Sequence, residues 1–326
     1  MRALRVHELG DPSRVLRVEE IDSPKPDDQQ VLIRVAAAAL NFADDLVCRG
    51  RYQEKPPLPF TPGMEVSGEV VAVGPDAKLQ VGDRVMALTA PPRGGLAEEA
   101  LANTVTTWTI PDGLPDTDAA ALPVAYLTAH VGLHQRGGLR PGEVLLVHAG
   151  AGGVGSAAIQ LGRAAGAMVI ATAGGASKVD ICRELGAEIA IDYRSEDFVA
   201  IVNDATGGRG ADVIYDPVGG DVFDRSRKCI AWEGRLLVIG FASGRIPEAP
   251  ANHALVKNYS VVGVYFGRYA AMDPGVLERA QADLMRLHAE GAVRPLIRAQ
   301  VGLDEVPAAM ERLVGRGTVG KVVVVP

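Results

Sequence analysis

The chain has 326 residues, 48% of them apolar and 22% charged, with a formal net charge of -7 at pH 7. That length favours two domains, each with enough chain for a core, and the acidic balance argues against a general nucleic-acid or anionic-membrane binder. Three cysteines, Cys48, Cys182 and Cys229, show no close pair and no CxxC spacing, so neither a disulfide framework nor a structural zinc knot is indicated. The opening MRALRVHELGDP carries charges where a signal peptide needs an apolar core, and no apolar run reaches the roughly eighteen residues of a membrane span. A cytoplasmic location is the default expectation.

Residues 1–124 read as β-rich. Alternating or apolar runs at 3–9, 15–21, 31–40, 65–73, 84–88 and 105–110 are separated by GDPS, SPKPDD, GPDA and PDG. The KPPLPFTPG segment holds four prolines and must be extended or looped. A helical pattern occurs only around 42–49. A small, irregular antiparallel barrel or sandwich is predicted. Residues 116–135 then turn helical, with an interruption at Pro123.

From there, strands at 144–147, 168–172, 189–191, 212–215, 236–239 and 261–265 alternate with helices at 153–165, 177–185, 196–205, 222–231 and 252–257. That alternation describes an α/β fold with a doubly wound parallel sheet. The tail gives a helix at 274–290, a strand at 297–301, a helix at 306–313 and a strand at 321–325, and is expected to pack back on the first domain. The predicted division is 1–124 with 267–326, and 125–266.

The most informative stretch is EVLLVHAGAGGVGSAAIQLGRAAGA, residues 143–167. Gly150, Gly152 and Gly155 stand at G-x-G-x-x-G spacing between an apolar strand and a helix opened by Gly153 and Val154. Glycines there allow a tight turn, backbone approach to a pyrophosphate and close helix–strand packing, while the helix N-terminus offers free N–H groups. A plain strand-to-helix turn would carry the same glycines. The following strand, MVIAT, favours a dinucleotide site.

For NAD, an acid is expected at the end of that second strand, about twenty residues past the glycines. Here residues 172–178 read TAGGASK, with no acid before Asp180. Small residues, Gly174 among them, and Lys178 accept a 2′-phosphate, so NADPH is favoured on charge. Ligands of open sheets lie outside the carboxyl ends of strands, where DPVG (216–219), GFASG (240–244) and VYF (264–266) fall.

The stretches LNFADDLVCRGRYQ, PFTPGMEVSGEVVAVG, PVAYLTAH, VHAGAGGVGSAAIQLGRAAGA, YDPVGG and VIGFASG resemble the medium-chain dehydrogenase/reductase superfamily. The likeness is greatest to its zinc-free quinone oxidoreductase branch, which includes ζ-crystallin, and it runs along nearly the whole chain. It implies a GroES-like catalytic domain, a Rossmann domain between its two parts and an active site in the cleft. Zinc enzymes of the superfamily carry a G-H-E motif whose His binds metal, and a cysteine ligand just ahead of an acidic pair. The matching places here are Gly63-Met64-Glu65 and Asn41 before Asp44-Asp45, and the lobe of four closely spaced cysteines is absent. A thioether and a neutral amide are poor zinc ligands, so no metal is expected.

The resemblance further implies that Lys178, Tyr193 and Arg316 meet the 2′-phosphate. It places Gly240, Phe241, Ser243, Val264, Tyr265 and Phe266 around the nicotinamide and its ribose, with Thr128 touching the ring. Asn41 and Tyr52 lie in the stretch matching the active-site segment. Asn41 could hold substrate or cofactor through its amide, and Tyr52 could donate to a developing oxyanion. Where Leu46 stands, the family often has a second tyrosine.

The leading function is NADPH-dependent, metal-free reduction of a quinone or α,β-unsaturated carbonyl. An enoyl thioester reductase is the alternative, with Arg49, Arg51, Lys55 and Arg93 as a basic entry patch; a non-catalytic NADPH-binding protein is the second. The run 261–266 matches an edge strand that pairs across a dimer axis in the superfamily, so a homodimer is expected, with a buried internal strand as the other possibility.

Overall fold

The computed structural model describes residues 1–326. The alternating runs of the first part form β1 (Arg2–Val6), β2 (Leu16–Glu20), β3 (Gln30–Ala39), β4 (Glu65–Val73), β5 (Arg84–Thr89) and β6 (Glu99–Thr109). β1 and β2 pair antiparallel. β3 pairs with β4 and with β6, and β5 pairs with both β4 and β6, so four antiparallel strands close on themselves. Of the two predicted architectures, this is the barrel. The alternation works as pattern arguments require: Val31, Ile33, Val35, Val66, Val70 and Val85 all face one core.

β6 begins six residues before its predicted start. Its opening residues EALAN have little strand propensity, and cross-strand pairing of Glu99–Asn103 with Gln30–Arg34 supplies what propensity lacks. The predicted GDPS turn contains a short helix, Pro12–Val15, capped by the Asp11 carboxylate, which accepts from the Ser13 N–H at 3.1 Å.

The strand–helix alternation forms β7 (Val144–Val147), β8 (Met168–Ala173), β9 (Ile189–Asp192), β10 (Ala211–Asp216), β11 (Ile230–Val238) and β12 (Ser260–Gly263). All pairs are parallel, in the order β12-β11-β10-β7-β8-β9. β7 is buried along its whole length, as a strand covered on both faces must be. It lies between β10 and β8, so the strand order reverses there, and the glycine-rich turn follows it.

Three differences matter. The predicted helix 222–231 ends at Ser226, because Ile230 and Ala231 already belong to β11. β12 stops at Gly263, so Val264 and Tyr265 lie beyond it and Phe266 opens a 3-10 turn. The Pro123–His130 helix continues as a π-helix over Val131–Arg136.

The last two strands are β13 (Ile297–Val301) and β14 (Lys321–Val324), which joins β3 antiparallel and β13 parallel. Compactness divides the chain into Met1–Val124 with Pro295–Pro326, and Ala125–Arg294. The sequence division sets its boundaries at 124/125 and 266/267, whereas by contacts the later one lies at 294/295. The reason is the helix Pro274–Ala289, which buries Val276, Leu277, Ala280, Leu284 and Leu287 and packs on the π-helix. His130 Nε2 lies 3.0 Å from Asp283 Oδ2 of that helix. No helix is long and apolar enough to cross a membrane.

Candidate active site

The turn after β7 separates the tasks of its three glycines. A Cβ on Gly155 would lie 2.2 Å from the Ala149 carbonyl oxygen, which no side chain tolerates. On Gly150 it would lie 2.8 Å from Cys182 Sγ, so this glycine is set by packing. On Gly152 it would meet only the Ala149 oxygen, at 3.2 Å. Gly152 caps the helix Gly153–Ala164 without a side-chain hydrogen bond, leaving the first N–H groups, those of Gly153 and Val154 among them, to a ligand. This geometry fits a pyrophosphate.

His148 lies buried under that turn. The Ser226 hydroxyl donates to the Val222 carbonyl at 2.7 Å, so at the 2.8 Å contact His148 Nε2 must be the donor. Nδ1 then accepts from the Thr172 hydroxyl at 2.9 Å. Burial pushes the imidazole down to about 3, which keeps it neutral. One ring thus ties β7, β8 and the helix Gly220–Ser226 together. Sequence reasoning assigned it no part, since a lone histidine carries no spacing signal.

At the end of β8, side chains converge on Gly174. A Cβ there would lie 2.6 Å from the Tyr193 hydroxyl and 3.1 Å from Arg194 Nε; on Gly175 it would lie 3.1 Å from Arg194 Nη1. Lys178 is held below the usual lysine range by burial and then by the Arg194 charge. The neighbouring acid, Asp192, accepts the backbone N–H groups of Gly175 and Arg194 at 3.0 and 3.1 Å through one oxygen. Gly174, Tyr193 and Arg194 are therefore brought together, and Lys178 lies within range of the Arg194 charge. The sequence reading passed over Arg194, although it directly follows Tyr193. Arg316 belongs to the other unit, in a turn with φ 60° after the helix Val306–Val314.

At the far strand ends, Asp216 is buried and accepts from the Val218 and Gly219 N–H groups at 2.8 and 2.9 Å. Burial raises its carboxyl to about 6. A Cβ on Gly219 would lie 2.9 Å from Phe241, and one on Gly220 2.7 Å from Ser243 Oγ. The predicted Gly240, Phe241 and Ser243 thus sit against the DPVG turn, and a Cβ on Gly240 would have only the Pro217 oxygen near it, at 3.4 Å. The Val264 N–H donates to the Val238 carbonyl, which brings Val264 beside the same loop; Tyr265 and Phe266 follow it. Thr128 is buried in the helix Pro123–His130.

In the other unit, the predicted Asn41 stands at the start of the helix Phe42–Cys48, with a different task from the one expected. Its two amide N–H bonds go to the Ala39 carbonyl at 3.1 Å and Glu65 Oε1 at 2.9 Å. Its oxygen accepts from Lys321 Nζ at 2.6 Å. No amide donor is left over for a substrate carbonyl or a cofactor. Tyr52 is half-buried and packs on the core. Burial, with Glu54 and Asp44 nearby, pushes its phenol up to about 12, so it holds its proton as a donor.

The residues at the zinc enzymes' ligand positions do not fit a metal. Asn41 and Glu65 already bind an ammonium, Met64 is a thioether, and no three His, Cys, Asp or Glu side chains are arranged to hold an ion.

Asp44, which composition alone would leave as a solvated or capping acid, is 1% exposed. Its oxygens accept from the Asn41 N–H at 2.8 Å and the Gly63 N–H at 3.2 Å, and burial raises it to about 7. Between the ordinary carboxylate value and 7 the folded chain keeps a proton that the unfolded chain releases. This group's contribution to stability is therefore full at low pH and is lost as pH rises through about 7. Asp44→Asn, which imitates the protonated acid, should match the parent Tm only below the ordinary carboxylate value and exceed it increasingly as pH rises toward about 7. A Tm difference that stays constant over that range would rule this out.

Residues 27–112 match the family described as "Alcohol dehydrogenase GroES-like domain", and residues 153–282 the one described as "Zinc-binding dehydrogenase". Over 326 residues the chain is 43% identical to a quinone oxidoreductase-like protein 2 homolog of Nematostella vectensis, covering 99% of this chain and 88% of that protein. Among solved structures, mycobacterial Rv1454c complexed with NADPH superposes with a TM-score of 0.93 at 32% identity, covering all of both chains. The Escherichia coli quinone oxidoreductase complexed with NADPH gives 0.91 at 28%, also over both whole chains. The CurK enoyl reductase gives 0.88 at 29%, covering 99% of this chain and 98% of that one. With the glycine turn at the switch point of a parallel sheet and a separate closed β-barrel unit, these likenesses make the chain a member of the medium-chain dehydrogenase/reductase superfamily, an oxidoreductase of the quinone oxidoreductase-like type.

Proposed function

We propose that the chain reduces quinones or α,β-unsaturated carbonyls with NADPH and without a metal. The observation that carries this reading is the approach of Tyr193 and Arg194 to Gly174, with Lys178 near enough to feel the Arg194 charge. Such a cluster fits a 2′-phosphate, and the acid beside it, Asp192, has one oxygen committed to the Gly175 and Arg194 N–H groups. The NADPH-bound relatives support the same cofactor. Arg316 is proposed as a further phosphate contact, and Thr128, Gly240, Phe241, Ser243, Val264, Tyr265 and Phe266 as the nicotinamide surround.

NADPH, when bound, supplies a hydride to an electron-poor carbon. The chain's part is to orient, to exclude water and to meet the negative charge that grows on the substrate oxygen. Tyr52 is the proposed donor there, and Asn41 holds its segment rather than the substrate. Tyr52→Phe should lower kcat about tenfold, less than in a dry oxyanion hole because Tyr52 is only half-buried. KM for NADPH should stay unchanged. Full activity in this variant would remove Tyr52 from the chemistry.

The function itself is tested by NADPH consumption with 1,4-benzoquinone, 9,10-phenanthrenequinone, an alkyl enone and crotonyl-CoA. Turnover confined to crotonyl-CoA would favour the enoyl thioester reading, which the CurK likeness keeps in play. No turnover on any acceptor would end the reductase proposal.

We also propose a homodimer through β12. It is the edge of its sheet and is exposed along most of its length, and pairing would cover that edge. A monomer mass in light scattering would overturn this.

A further inference from the structure

Lys321 opens β14 with 4% of its surface exposed, beside Glu65 with none. The strand continues as Val322, Val323 and Val324, all buried. A lysine in such a place carries a heavy desolvation penalty unless every proton finds an acceptor. Here all three do. The ammonium donates to the Leu40 carbonyl at 2.9 Å, to Asn41 Oδ1 at 2.6 Å and to Glu65 Oε1 at 2.7 Å. The second Glu65 oxygen accepts from the Val124 N–H at 2.7 Å.

This arrangement determines the Asn41 amide. Turned over, its nitrogen would face the ammonium and its oxygen the carboxylate, so the pair permits one orientation. The Leu40 N–H donates to the Val322 carbonyl, and the ends of β3, β4 and β14 are thereby tied at the start of the helix Phe42–Cys48. That helix ends in the Arg49 N–H to Asp45 and Arg51 N–H to Leu46 bonds, one residue before Tyr52.

We propose that Lys321 is a positioning residue for the reduction: paired with Glu65, it fixes Asn41 and, through the helix that Asn41 begins, the Tyr52 phenol. The proposal rests on the reading of Tyr52 as the donor. Folding alone does not demand an ion pair, since buried ion pairs are often replaceable by well-packed neutral groups.

The test is the double variant Lys321→Met/Glu65→Gln, which removes both charges and keeps similar shapes. Its Tm should fall, because the Leu40 and Asn41 oxygens lose their donor and the Gln has one acceptor oxygen where Glu65 has two; well below that Tm, kcat with a quinone should be about tenfold or more lower while KM for NADPH stays the same. A parent-like kcat in the folded variant would mean that the pair serves folding only, and would overturn the proposal.

Should the double variant not fold, Asn41→Asp gives an independent answer. Two carboxylates then share one ammonium, and a shared proton is needed to restore a donor toward Glu65. Its kcat relative to the parent should rise as pH falls from 8 to 6; a flat ratio would also overturn the proposal. Tyr52→Phe, run alongside, separates the two ideas. Unimpaired turnover there removes the donor assignment whatever the ion pair does. Adding Tyr52→Phe to the double variant should lower kcat little further, whereas a full multiplicative loss would place Lys321 on another route.

Discussion

Lys178→Glu combined with Arg194→Ala should lower the ratio of kcat/KM for NADPH to that for NADH by about 100-fold or more. Each charge-assisted contact to a phosphate is worth roughly 1.5–3 kcal/mol, and two are removed. The introduced carboxylate adds repulsion toward the phosphate and offers the ribose 2′-OH of NADH an acceptor. The local setting makes the effect specific. Arg194 reaches over both Gly174 and Gly175, and one oxygen of Asp192 is held by backbone amides, so the two substitutions remove the charges nearest the end of β8. Arg194→Ala alone should give part of the effect, and raised salt should narrow the parent's preference. An unchanged ratio in the double variant would place the phosphate elsewhere.

The second large effect is expected in the glycine turn, as a contrast. Gly155→Ala puts a methyl 2.2 Å from the Ala149 carbonyl oxygen, backbone against backbone. The turn or the helix must shift, which destabilises by about 1–3 kcal/mol and lowers Tm by several degrees. Gly152→Ala has only a 3.2 Å neighbour and an ordinary φ of -84°, so the fold should hold it with Tm within about 2 °C. Its methyl would nevertheless stand where the backbone must approach a pyrophosphate, and NADPH affinity should fall about tenfold or more. Equal Tm losses in the two variants, or NADPH binding undisturbed by Gly152→Ala, would contradict this division of labour.

What was legible in the sequence followed from short-range chemistry. β4 was predicted to the residue because its valine-rich run is bounded by turn residues and it pairs with strands on both sides in the closed ring. The glycine turn was legible because spacing alone reports close backbone approach. β6 was half-missed, since its first residues become a strand only by pairing with β3. The later domain boundary differs from the division by contacts because the amphipathic helix Pro274–Ala289 does not state which core its apolar face will join.

The site was legible in proportion to sequence distance. Lys178 and Tyr193 were named together with Arg316 by the family resemblance, and the structure puts Tyr193 beside Gly174. Arg194 is a charge on a loop, where no period marks it. Lys321 lies 280 positions from Asn41, and nothing local distinguishes it from a strand-opening surface lysine. The same gap explains the altered reading of Asn41. An amide's donors can be counted as available only when its neighbours are known, and two of those neighbours come from other strands.

The doubly bonded imidazole of His148 has a consequence for acid–base behaviour. A ring held neutral down to about 3, with both nitrogens engaged, gives the floor beneath the nucleotide turn no proton to exchange near neutrality. Protonation of this ring therefore cannot make docking of the dinucleotide depend on pH near neutrality. An inflection in turnover between about pH 6 and 7 would trace instead to a sequestered carboxyl, Asp216 beneath the DPVG turn or Asp44 in the barrel that carries Tyr52.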